Sequence, residues 1–135
     1  MSKRRELYVL DKGGQILYYF STKYDSKEDQ SMLLTASYLT GVLQFARRAS
    51  GDFISTFELG TLRIMLRVGK NLPLYYVLIA GKETKIKEKQ IDQMLTAIIE
   101  AFEEICTLEK LNNWSGNIYE FEEFTPKVKK ILKVK

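Results

Sequence analysis

Leu7-Tyr8-Val9-Leu10-Asp11-Lys12-Gly13-Gly14-Gln15-Ile16-Leu17-Tyr18-Tyr19-Phe20 consists of two short runs of branched and aromatic residues joined by a polar, glycine-containing loop. Runs of this kind on either side of such a loop predict a β-hairpin. Both runs are apolar at successive rather than alternate positions, which predicts strands covered on both faces. A sheet lying between layers of helix is therefore expected from the first twenty residues.

The rest of the chain fits that expectation. Ser26 with Asp29 has the spacing of a capping box. Met32, Ala36, Leu39, Leu43 and Ala46 then recur every three or four residues, predicting a long helix that ends at Ser50-Gly51. Phe53 to Leu59 alternates as a strand, Gly60-Thr61 turns, and Leu62, Ile64, Leu66 and Val68 alternate with Arg63, Met65 and Arg67. A strand face carrying two arginines must reach water or an acid. After the turn Gly69 to Pro73, Leu74-Tyr75-Tyr76-Val77-Leu78-Ile79-Ala80 is the longest apolar run and the expected central strand.

Ile91, Met94, Leu95, Ile98, Ile99, Phe102, Ile105 and Cys106 trace one face of a second long helix, with Asp92, Gln93, Glu100, Glu103 and Glu104 on the other. A short helical segment is expected around Tyr119 to Phe124. Thr125-Pro126 reads as the N-cap and first residue of a last helix carrying Val128, Ile131 and Leu132. No repeat, linker or low-complexity segment divides the chain. The order β-β-α-β-β-β-α-α predicts an α+β fold with an antiparallel sheet covered on both faces.

In that order the sequence resembles the longin domains of membrane-traffic proteins, a branch of the profilin-like folds. The resemblance covers about residues 5 to 125. It is carried by Leu7 to Tyr18, by Leu74 to Ala80, and by Phe102-Glu103-Glu104-Ile105-Cys106-Thr107-Leu108, which looks like a helix end of clathrin-adaptor small subunits. Gly41-Val42-Leu43-Gln44-Phe45 looks like longin subunits of Rab-type exchange factors. It implies a five-stranded antiparallel sheet with one helix on one face and the C-terminal helices on the other. Roadblock domains share the sheet but usually begin with a helix before the first strand; here only five residues precede Glu6, which favours longin over roadblock. No SNARE coiled coil follows, so a fusion role is not implied. The expected division is a basic end (1–5), a longin-like domain (6–125) and a Lys-rich helix (126–135).

The 135 residues, 45% of them hydrophobic, suffice for one domain with a core. The net charge of +4 is unevenly distributed. Lys3, Arg4 and Arg5 open the chain, and Lys127, Lys129, Lys130, Lys133 and Lys135 close it. Thirteen other bases and all seventeen acids lie between them, so the body carries −4. With no histidine, triads, Cys-His dyads and imidazole zinc sites are excluded. The single Cys106 forms no internal disulfide and suits a reducing compartment. No signal-peptide pattern or membrane-length apolar run is present, and a cytoplasmic location with peripheral contact at membranes is expected.

Nothing else in the sequence favours catalysis. Gly69-Lys70 and Gly81-Lys82 lack the upstream glycine and the Ser/Thr of a phosphate-binding loop. Glu103-Glu104 and Glu122-Glu123 read as solvated helix faces, and Cys106 as a core thiol. No cofactor or metal is expected. Aromatic residues could stack bases, but they fall where helices should cover the sheet, in an acidic body.

By the resemblance, Phe53 to Leu59 lies at a sheet edge where pairs of such domains join, their first helices side by side. Unpaired N–H and C=O groups on an edge recruit a partner unless guarded. Phe53, Ser55 and Phe57 with Tyr38, Phe45 and Arg48 are the candidate interface. The C-terminal lysines are candidates for contact with an anionic surface, with Val128, Ile131 and Leu132 facing lipid or docking on the domain. The expected function is a non-catalytic adaptor or regulatory subunit. It would form a homo- or heterodimer with itself or a second longin-like domain and bind a Ras-like small GTPase. The alternatives are a basic-tailed nucleic-acid- or ribosome-associated protein, or a membrane-surface adaptor without a GTPase.

Overall fold

The computed structural model describes residues 5–13, 15–22, 41, 56–59, 62–81, 87–117 and 119–133. Within them run β1 (Arg5–Asp11), β2 (Ile16–Ser21), β3 (Thr56–Leu59), β4 (Leu62–Val68) and β5 (Leu74–Gly81). The helices are α1 (Glu88–Ile105), α2 (Leu108–Asn112) and α3 (Thr125–Leu132), with a 3₁₀ turn at Glu122–Phe124 before α3. The helix expected over residues 26–51 lies outside the described residues apart from Gly41, as do residues 53–55 of the predicted third strand.

All strand pairs are antiparallel, in the order β2–β1–β5–β4–β3. The apolar run at 74–80 is central, as its lack of polar positions predicts, and it is buried throughout. β1 and β2 form the expected hairpin. Leu10 faces Ile16 while Val9 faces Tyr18, so Leu17 is an extra residue that bulges the strand. The bulge brings Leu17 and Tyr18 into the same cluster, where a regular strand would send them to opposite faces.

Two apolar clusters lie on the two faces of the sheet. Tyr8, Leu10, Tyr19, Ile64, Leu66, Tyr75, Val77 and Ile79 form one. Leu7, Val9, Met65, Tyr76 and Leu78 form the other, with Ile91, Leu95, Ile98 and Phe102 of α1 and Val128 and Leu132 of α3. Phe102 sits at its centre, its ring 5.3 Å from Phe121 and 5.2 Å from Phe124 in tilted, edge-on geometry. Both faces of the sheet are thus buried, as the continuous apolar strands predict.

The two β4 arginines meet acids, as their place in an apolar strand requires. Arg67 pairs with Asp92 near the start of α1, and Arg63 lies 3.7 Å from Glu58, directly across the β3–β4 ladder.

Two expectations are corrected. Arg5 does not belong to an exposed basic end: it is the first residue of β1, only 2% exposed, opposite Ala80. Thr125 does not cap the last helix with its side chain. The 3₁₀ turn runs straight into α3, so Thr125 is already helical, and its hydroxyl lies 2.7 Å from that of Tyr18. Of the two readings left open for the last helix, docking is the one seen: Val128 and Leu132 are 0% and 1% exposed against the domain, with Ile131 half-buried beside them.

Candidate functional site

β3 is the outermost strand of the sheet on its side, and among the described residues it pairs with β4 alone. It is held on by four register positions: Thr56 opposite Met65, Phe57 opposite Ile64, Glu58 opposite Arg63, and Leu59 opposite Leu62. Glu58 is the charge that would guard such an edge, but Arg63 of the neighbouring strand lies against it. The guard is thereby partly neutralised. Of the predicted interface, the structure places the backbone of Phe57 in this strand. Tyr38, Phe45, Arg48, Phe53 and Ser55 lie outside the described residues.

The second predicted surface is largely in view. Lys127, Lys129, Lys130 and Lys133 are all exposed, and Lys135 lies outside the described residues. Lys133 ends α3 in a left-handed conformation, φ 57°, with its N–H on the carbonyls of Lys129 and Lys130.

One arrangement was not read from the sequence. Glu103, expected on a solvated helix face, points its carboxylate at the β4–β5 turn. Its Oε2 accepts the Lys70 N–H at 2.9 Å and its Oε1 the Asn71 N–H at 2.9 Å. The Tyr76 hydroxyl is 3.5 Å away. Gly69 sets how closely the turn and helix approach, since a Cβ there would stand 2.4 Å from the Leu72 carbonyl and 2.9 Å from Glu103 Oε2. The available signal was the exposed amides of a five-residue polar turn, but neither periodicity nor spacing connects them to a residue about thirty positions later. An open depression of about 280 Å³ adjoins this contact, lined by Lys70, Asn71, Ile99, Glu100, Glu103 and Glu104.

Three titratable groups of the core are shifted away from reactivity. Burial pushes the Cys106 thiol up to about 11, against a smaller opposing pull from Lys110. A nucleophilic cysteine needs the opposite shift. Burial likewise raises Tyr18 to about 12, opposed by its hydrogen bond to Thr125 and reinforced by Glu122. Tyr76 is raised further, first by burial and then by the Glu103 charge. Among the described residues no group of acids and cysteine has the geometry of a metal site, and no helix is long and apolar enough to cross a membrane.

What this fold presents is therefore a sheet edge and charged helix surfaces. Compared with known families, residues 5–123 match the model of the first longin domain of FUZ, MON1 and HPS1. The chain belongs to this longin family. The match begins at the first residue of β1 and ends within the 3₁₀ turn, so the longin domain takes in the whole sheet, α1 and α2. FUZ, MON1 and HPS1 are trafficking regulators, and their longin domains are in general regulatory rather than catalytic. No curated protein sequence matches this longin domain.

Proposed function

We propose that this longin domain is a non-catalytic adaptor or regulatory subunit acting through protein–protein contact in membrane traffic. In this reading β3 extends its sheet into a partner, either a second copy or another longin domain. The composite surface receives a Ras-like small GTPase. The work is done in the cytoplasm, with peripheral contact at membranes. The observation that carries the reading is the position of β3. It is a four-residue strand at the end of the sheet order, with its one acid held by Arg63, in a chain of a family of trafficking regulators. An edge of this kind supplies backbone hydrogen bonds to a partner strand.

Light scattering after gel filtration tests the association. A dimer is expected for the native chain, and a monomer for Phe57→Lys with an unchanged circular dichroism spectrum. A native chain that stays monomeric at high concentration overturns the dimer. The GTPase is tested by capture of purified small GTPases loaded with GDP or with a GTP analogue. Enrichment in one nucleotide state is expected; equal background in both removes that partner.

A further inference from the structure

α3 has two unlike sides. On an α-helix successive residues are about 100° apart. Val128 and Leu132 therefore fall on one side, buried to 0% and 1%, and fix the helix to the domain. Lys127, Lys129 and Lys130 occupy the opposite arc, Lys133 stands at the helix end, and all four are exposed. The helix contains no acid, and among the described residues none of these lysines has an ion-pair partner. Lys127 and Lys130 stand three residues apart, a spacing at which like charges repel each other along a helix, and Lys133 adds a further positive charge at its C-terminal end. A repulsive stripe held rigidly on an otherwise acidic body calls for an anionic counterpart.

We infer that this face of α3 binds anionic lipid headgroups by charge alone, without inserting into the bilayer. Insertion needs an apolar side, and the apolar side of α3 is already committed to the core. The chemistry of the stripe favours a lipid surface over a nucleic acid. Its cations are all lysines, compact charges suited to a diffuse anionic plane, whereas nucleic-acid surfaces use the planar guanidinium of arginine and aromatic rings for stacking. α3 contains neither. The surface also lies beyond residue 123, where the family match ends. It depends on neither the β3 dimer nor a GTPase.

Co-sedimentation of the full chain with vesicles tests the inference. Vesicles of phosphatidylcholine containing phosphatidylserine should bind it at low salt, and vesicles of phosphatidylcholine alone should not. Binding should fall steeply as salt shortens the screening length. Each Lys→Gln substitution among the four should weaken partitioning roughly fivefold, and all four together more than a hundredfold. Replacing all four by arginine should restore binding, which separates charge from fold. Binding to neutral vesicles, salt-resistant binding, or a quadruple Lys→Gln variant that binds like the native chain overturns the inference. So does absence of binding to anionic vesicles under conditions where a single-stranded RNA oligonucleotide is bound.

Discussion

Two turns in this protein are held by the same device and encoded in opposite ways. At the β1–β2 turn the Asp11 carboxylate accepts the N–H of Gly13 at 2.9 Å and of Gln15 at 2.8 Å. At the β4–β5 turn the Glu103 carboxylate accepts the N–H of Lys70 and of Asn71, both at 2.9 Å. In each case one carboxylate satisfies two backbone donors that the strands leave over. Asp11 acts within four residues of itself, so its turn is complete with the hairpin. Glu103 acts across more than thirty residues, so its turn is complete only when α1 has packed on the sheet. The first turn should therefore be robust to changes in the core, and the second should depend on it.

Alkaline pH should give the largest effect, and the α1 side contributes to it. Tyr18, Tyr76 and Cys106 all belong to the cluster under α1 and all ionise later in the folded chain than in the unfolded one. Below pH 9 both states hold these protons and the three groups add no pH dependence. Above it the unfolded chain releases them first, Cys106 from 9.0 and the tyrosines from 10.0, so stability falls as pH rises through about 11 and about 12. Urea titrations between pH 8 and 12 should show a flat region followed by a steep loss. A midpoint unchanged to pH 12 would show that this core is open to water.

Gly69→Ala comes next. Its Cβ would collide with the Leu72 carbonyl and displace Glu103, at a cost of about 3 kcal/mol in chemical denaturation. Glu103→Ala leaves two turn amides to water and removes a partner of Tyr76, costing about 2 kcal/mol and letting Tyr76 ionise at lower pH in a spectrophotometric titration. Asp11→Ala should cost about 1 kcal/mol, because its turn is exposed and the hairpin register is also set by the strands. Equal losses for Asp11→Ala and Glu103→Ala would end the distinction between the two turns. Gly13→Ala is the smallest change, within about 0.5 kcal/mol, since its Cβ meets only Asp11 Oδ1 at an ordinary 3.5 Å.

The same division separates what could be read along the chain from what could not. The hairpin, the central place of residues 74–80 and the buried stripe of α1 were legible because strand and helix periods show directly which residues seek cover. The need of Arg63 and Arg67 for acids was legible too, although not which acids would answer. Arg5 was misread because charge at the chain's start looks the same whether it lies before a strand or opens it. Thr125-Pro126 was misread because a 3₁₀ turn feeding a helix makes capping unnecessary. The edge position of β3 came from resemblance, and the sheet order now shows it. The other residues proposed to share that edge, from Tyr38 to Ser55, lie outside the described residues.

Binary pattern and turn chemistry, which act over a few residues, are enough to specify an α+β sheet covered on both sides. They cannot specify contacts whose partners are far apart in sequence. Which side of α3 was available to a partner was such a contact. Three apolar residues among the lysines of a short C-terminal helix suit a bilayer and a protein core equally well. Packing of Val128 and Leu132 into the core resolved that ambiguity, because a side chain buried in the domain has no surface left to offer lipid. What began as an amphipathic tail became a docked helix with one purely cationic face.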